Sequence, residues 1–175
     1  NFLDDRLPFA WRTERFVLIT GHRRENFGDG FLQICEALKD LAARYPKVHF
    51  VYPVHLNPNV QQPVKSLLAD LPNVHLIEPL DYEPFVYLLK HSHIVLTDSG
   101  GIQEEAAYIG SPVLVTRSET ERPEAAQSEL VSLIGTNPER LLQACHQRLA
   151  APRPPACAFD EHAPFGDGRT AARVL

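Results

Sequence analysis

Short apolar runs alternate with stretches of helical periodicity along almost the whole chain, and that alternation restricts the fold more than any other feature. The runs lie at 15–20, 48–54, 74–77, 94–96, 112–115 and 130–134. The first contains Phe16-Val17-Leu18-Ile19, an uninterrupted run of the kind found in strands covered on both faces. Between the runs, apolar residues recur at three- and four-residue spacing. Phe31, Ile34, Cys35, Leu38, Leu41 and Ala42 mark one helix face. Val60, Val64, Leu67 and Leu68 mark a second, and Phe85, Val86, Leu88 and Leu89 a third. Asn57-Pro58 suits a helix start, since a side-chain acceptor precedes a residue that has no N–H. A long helix is expected from Pro138 to 149, and shorter ones after Pro123 and over 168–175. Strands that alternate with helices in this way predict an α/β fold, a Rossmann-like doubly wound parallel sheet with helices on both faces. Residues 1–14 read as a connector with Trp11 as an anchor, residues 15–175 as the domain. The proline-rich stretch 151–158 is expected to cross the surface.

Length and composition narrow the classes of function. A chain of 175 residues can bury one proper core. Its net charge of −5 argues against a general nucleic-acid surface, though not against a local phosphate site. No apolar run approaches the roughly 20 residues needed to span a bilayer, so no membrane partner is expected. The first fourteen residues mix charges with scattered apolar residues and do not form a signal peptide. Cys35, Cys145 and Cys157 show no metal-ligand spacing, and free thiols in a reducing cytoplasm are the reading that follows. No metal and no cofactor are expected.

In a doubly wound sheet, ligands bind beyond the carboxyl ends of the strands. The loops expected there carry every polar cluster of note, including His22, His55, Leu80, Ser99 and Arg122. The richest is Thr97-Asp98-Ser99-Gly100-Gly101-Ile102-Gln103-Glu104-Glu105. It joins a strand to a helix that Gly110 can end. Its glycines let backbone approach a ligand, and a helix start offers unpaired N–H groups and a positive dipole end to an anion. A carboxylate one turn further in can reach a sugar diol. Together these suit a diphosphate joined to ribose. Two other readings compete: a tight turn that merely needs glycines, and the Asp-Ser-Gly-Gly around the nucleophile of chymotrypsin-like proteases, which are all-β and usually disulfide-bonded. The pattern is not Gly-x-Gly-x-x-Gly, which disfavours a nicotinamide cofactor. Gly21-His22-Arg23-Arg24-Glu25-Asn26 adds a histidine and two arginines, groups suited to phosphate. Arg122 can neutralise a diphosphate, and His55 stands at a strand end. His91 and His93 flank a strand start and suggest no metal site.

Taken together, the segments 20–26, 53–60, 79–85, 96–106, 121–125 and 164–168 resemble the bacterial non-hydrolysing UDP-N-acetylglucosamine 2-epimerases. The likeness runs from about residue 15 to the end. That family has two Rossmann-like domains facing a cleft, in the manner of the GT-B glycosyltransferases, and this chain resembles the carboxyl-terminal one. The resemblance implies that the segment from Leu80 to Phe85 holds uracil, with Phe85 at the base. It implies that Glu105 takes the ribose hydroxyls and that Ser99, Gly100, Gly101 and Arg122 hold the diphosphate. His22 is then the catalytic-site histidine, near the phosphates of the reacting sugar. Arg23 and His55 match positions that touch a second, activating UDP-GlcNAc in many members. The implied reaction converts UDP-GlcNAc to UDP-ManNAc by anti elimination of UDP, through 2-acetamidoglucal, followed by re-addition. The amino-terminal domain, which in the family supplies the acidic catalytic residues, is absent, so the isolated chain is expected to be inactive. The family forms homodimers.

The chain departs from the family pattern at Leu80, where some relatives have a polar residue, a change without consequence if uracil is held through backbone, and at Ala107-Tyr108, Glu129 and Ala163, which are peripheral. A GT-B glycosyltransferase donor domain and a hydrolysing epimerase are the rival enzyme readings, and a UDP-sugar sensor module is the non-enzyme one. The His22–Asn26 and 55–58 segments favour the non-hydrolysing epimerase.

Overall fold

The structure, a computed structural model, describes residues 2–21, 23, 27–120 and 129–153. The strands β1 (Phe16–Thr20), β2 (His49–Pro53), β3 (Val74–Ile77), β4 (Ile94–Thr97), β5 (Val113–Val115) and β6 (Val131–Leu133) form one sheet in the order β3-β2-β1-β4-β5-β6. Every neighbouring pair is parallel. The order runs outward from β1 on one side and from β4 on the other. The topological switch therefore lies between these two strands, where such folds open a crevice for ligands.

Among the described residues, five helices cover the sheet: α1 (Asp29–Arg44), α2 (Pro58–Leu68), α3 (Tyr82–His91), α4 (Gly100–Ile109) and α5 (Pro138–Ala150). Adjacent residues of a strand point to opposite faces, and β1 shows the result. Val17 and Ile19 join Leu38 and Leu41 of α1, Val64 of α2 and Leu141 of α5 in one core. Phe16 and Leu18 join Leu88 and Leu89 of α3 and Ala106 of α4 in the other. This two-sided burial is why β1 is apolar from Phe16 to Ile19, and each such side chain contributes about 1.5–3 kcal/mol. The doubly wound arrangement read from the sequence is the one observed.

Local chemistry accounts for the helix ends. Asn57 accepts the Asn59 N–H at 2.9 Å and Asn137 the Arg140 N–H at 3.0 Å, each with a proline opening the helix. Gly110 ends α4 at φ 82°, a left-handed conformation that favours glycine. The segment before β1 is packed, not draped. Leu3, Leu7 and Trp11 are all buried in the second core, and the Trp11 indole N–H donates to Asp4. The helices expected after Pro123 and over 168–175, and most of the proline-rich stretch, lie outside the described residues.

At the amino edge of the sheet, Phe9 stacks on His49 with ring centroids 3.9 Å apart. His49 also meets His75 at 2.9 Å and Glu14 at 3.3 Å. Burial, and then the neighbouring His49, pushes the His75 pKa from 6.5 down to about 4. A depressed histidine pKa means that protonation opposes folding, so this contribution is present above about pH 6.5 and lost as pH falls toward 4. Thermal unfolding midpoints should drop across that window, and His75→Phe should flatten part of the drop. An identical pH profile in the variant would count against this role.

Candidate functional site

Two strands, β1 and β4, end in threonine beside the switch, and a third threonine follows β5. Thr20 of β1 and Thr97 of β4 are register partners, and their hydroxyl oxygens lie 2.7 Å apart. Thr97 Oγ1 also accepts the Ser99 N–H at 3.0 Å. Thr116, just past β5, donates its N–H to the Thr97 carbonyl at 2.9 Å. These bonds pin the chain where β4 turns into α4.

Asp98 is 1 % exposed, and its Oδ2 accepts the Arg23 N–H at 2.8 Å. That bond ties the loop after β1 to the loop after β4, across the switch. Tyr52 braces the same place by donating its hydroxyl to the Gly21 carbonyl at 3.1 Å. A β-carbon on Gly21 would lie 3.3 Å from that hydroxyl, so glycine permits the close approach. Burial raises the Tyr52 pKa well above its ordinary value, which keeps the hydroxyl a donor.

The start of α4 is open. Ser99 is its N-cap residue, yet the Ser99 side chain makes no capping bond. The Gln103 N–H reaches the Ser99 carbonyl at 3.3 Å, and the amides of Gly100, Gly101 and Ile102, at the first turn, have no intrahelical acceptor. Neither Gly100 nor Gly101 has a positive φ. A β-carbon on Gly101 would meet nothing within 4 Å, and one on Gly100 would meet only Arg23 Nη2 at 4.0 Å. The turn itself therefore does not require these glycines. Glycine in a helix costs up to about 1 kcal/mol relative to alanine, and nothing within the turn offsets that cost. Open backbone, positive dipole end and the nearby Arg23 guanidinium suit an anion.

One turn on, burial, and then the adjacent Glu104, raises the Glu105 pKa. Leu80 and Phe85 pack partly buried against the second core beyond the carboxyl end of β3. His55 follows β2 and is exposed, with Nδ1 accepting the Asn57 N–H at 3.1 Å. Thus Arg23, Ser99, Gly100 and Gly101 come together, while Leu80, Phe85 and His55 stand along the same carboxyl edge of the sheet. His22 and Arg122 lie outside the described residues. A cleft of about 300 Å³ between residues 2–11 and the start of α3 is lined by Asp81, Glu83 and Pro84 of the 80–85 segment, but not by Leu80 or Phe85.

The Cys35 and Cys145 thiols are buried, and burial pushes both pKa values to about 12, which leaves no thiolate for chemistry. His93 is buried and meets the Arg148 carbonyl at 3.1 Å, a structural role. Among the described residues, no three His, Cys, Asp or Glu side chains are placed to hold a metal, and no helix is long and apolar enough to cross a membrane.

Two supports escaped sequence reasoning. The threonine trio left a visible signal, since β1, β4 and β5 each read as an apolar run closed by threonine. Gln103 did not: it is 0 % exposed and its Oε1 accepts the Thr120 hydroxyl at 2.8 Å, a contact 17 residues apart in sequence.

Residues 3–175 match the family model described as UDP-N-acetylglucosamine 2-epimerase. The UDP-N-acetylglucosamine 2-epimerase of Yersinia pestis is 49% identical over 173 residues, covering 99% of this chain and 46% of the relative. That of Escherichia coli K12 is 47% identical over 168 residues, covering 96% and 45%. The crystal structure of the Neisseria meningitidis UDP-GlcNAc 2-epimerase bound to UDP-GlcNAc superposes with a TM-score of 0.90 at 42% identity, over 99% of this chain and 47% of the other. The Methanocaldococcus jannaschii enzyme in complex with UDP-GlcNAc and UDP gives 0.80 at 29% identity, over 99% and 46%. The chain spans about half the length of the curated relatives it matches. Matched along nearly its whole length, in sequence and in fold, it belongs to the UDP-N-acetylglucosamine 2-epimerase family.

Proposed function

We propose that this chain is the UDP-binding, carboxyl-terminal half of a non-hydrolysing UDP-GlcNAc 2-epimerase with a GT-B-like two-domain cleft. One observation carries the reading: at the start of α4, at the switch point of the sheet, two glycines leave open space that the fold does not need. The diphosphate lies there, on Ser99, Gly100 and Gly101, with Arg122 as its counter-charge. Glu105 takes the ribose hydroxyls. The segment from Leu80 to Phe85 holds uracil, with Phe85 at the nucleobase, and His22 contacts the phosphates next to the reacting sugar. Arg23 and His55 serve a second UDP-GlcNAc. The closeness of Arg23 to Gly100 supports a second ligand that neighbours the first.

In the reaction, C2–H is removed while the anomeric C–O bond breaks and UDP departs. The departing diphosphate gains negative charge, and fixed donors and cations stabilise it without reorganising. Those are this chain's contribution. The carboxylate base for the weakly acidic C2–H belongs to the rest of the cleft. The Neisseria meningitidis relative is bound to UDP-GlcNAc and the Methanocaldococcus jannaschii relative to UDP-GlcNAc and UDP, in agreement with this division. The full enzyme is proposed to be a cytoplasmic homodimer.

Calorimetric titration with UDP tests the assignment. Arg122→Ala should weaken binding by about 2 kcal/mol, roughly thirtyfold, through loss of a charge-assisted hydrogen bond. Unchanged affinity removes Arg122 from the site. The chain alone should not convert UDP-GlcNAc, and measured turnover would contradict the division of labour.

A further inference from the structure

The loop after β1 is gripped on both sides of position 22. The Gly21 carbonyl accepts the Tyr52 hydroxyl at 3.1 Å, and the Arg23 N–H donates to Asp98 Oδ2 at 2.8 Å. Both partners are buried, Tyr52 and Asp98 being each 1 % exposed. Asp98 also directly precedes Ser99, the N-cap residue of α4. The backbone of Arg23 is therefore fixed relative to the helix start by one side chain from β2 and one from the turn between β4 and α4. From that backbone the Arg23 side chain reaches the first turn of α4. Its Nη2 lies 4.0 Å from the point where a β-carbon on Gly100 would stand.

This placement does not favour the fold by itself. A helix start is the positive end of a dipole, where a cation is disfavoured. An anion that meets both turns the repulsion into two attractions. An oxygen accepting from the Gly100 amide stands about 2.9 Å from that nitrogen, so a group of two phosphates is long enough to meet the amides and the guanidinium at once. The planar fork of arginine suits such oxygens, since it can donate to two of them.

We infer that Arg23 is itself a ligand of the diphosphate at α4, besides serving a second nucleotide sugar, and that Tyr52 is a positioning residue that presents it through the Gly21 carbonyl. The inference rests on the proposed diphosphate site, and it adds to that site a cation which the family resemblance gives to the other ligand. The two ligands then share one guanidinium.

Calorimetric titration of the 175-residue chain with UDP, at low and at high salt, tests this. Arg23→Gln removes the charge and keeps a hydrogen-bonding side chain. It should weaken UDP on the order of tenfold or more, the effect of one lost hydrogen bond between charged groups, and it should flatten the fall of affinity with salt. Arg23→Lys keeps the charge and should retain most of both. Uridine, followed by amide shifts, should bind wild type and Arg23→Gln alike. Tyr52→Phe should weaken UDP severalfold, and adding it to Arg23→Gln should weaken UDP no further, because the hydroxyl acts through the guanidinium. Unchanged UDP affinity and salt dependence in Arg23→Gln overturn the assignment, while the diphosphate site stands if UDP still moves the Gly100 and Gly101 amides. Additive losses in the double variant overturn the positioning role of Tyr52. Failure of the wild-type chain to bind UDP overturns the site and the inference together. Arg23 is half-buried on a loop and belongs to neither core, so its variants give a reading even if Tyr52→Phe fails to fold.

Discussion

The Gly101→Ala chain is expected to melt at the same temperature as wild type or slightly higher, yet to bind UDP at least about tenfold more weakly. The two halves of this result have separate causes. Position 101 is in the first turn of α4, its φ is not positive, and an added methyl meets no protein atom within 4 Å. Alanine there removes backbone freedom from the unfolded chain and gains up to about 1 kcal/mol of helix propensity. The same methyl occupies open space at the first turn of α4, where the proposed diphosphate would come close. Overpacking of that kind costs about 1–3 kcal/mol, and from about 1.4 kcal/mol upward that corresponds to a loss of about tenfold to more than hundredfold. A substitution that stabilises the fold while weakening the ligand is the signature of a glycine kept for binding. Calorimetry and a thermal melt on one sample decide it. A destabilised variant with intact affinity would return Gly101 to the role of a turn residue.

Asp98→Ala should act on the framework instead. The Asp98 carboxylate is buried and accepts the Arg23 N–H at 2.8 Å, joining the loops on either side of the switch. A hydrogen bond to a charged group contributes about 1.5–3 kcal/mol, so the loss should lower the unfolding free energy by about that amount. For a chain of this size the midpoint should fall by roughly 5–10 °C. UDP affinity should fall as well, because the loop carrying Arg23 is no longer held against α4. Asp98→Asn keeps an acceptor and should lose less on both counts. A change in stability below about 0.5 kcal/mol, in the range of ordinary surface substitutions, would show that the bond is not a framework element.

These predictions concern features of unequal visibility in the sequence. The sheet was legible because a doubly wound fold writes its strands as continuous apolar runs and its helices as 3.6-residue periodicity. Phe16 to Ile19 carry that signal without a break. The helix ends were legible at Asn57-Pro58 and Gly110, where one residue suffices for the cap. The placing of Ser99 to Gly101 at a helix start followed from strand, polar residue and glycines in that order. What could not be read is the cross-linking between loops. Asp98 with Arg23, Tyr52 with Gly21, and Gln103 with Thr120 are pairs separated by 75, 31 and 17 residues. Such contacts depend on which strands are neighbours, and alternation alone does not specify strand order. The glycine question is similar. The sequence left open whether Gly100 and Gly101 serve a turn or a ligand, and only their backbone angles and surroundings separate the two.

The account stands on one claim, that a UDP diphosphate sits on the first-turn amides of α4. Amide chemical shifts of the isotopically labelled chain, followed through a UDP titration, test it most directly. The largest movements should fall on Gly100, Gly101 and Ile102, saturate with UDP and be absent with uridine for these three amides. Movements confined to the cleft between residues 2–11 and α3, with the α4 amides unchanged at saturation, would contradict it.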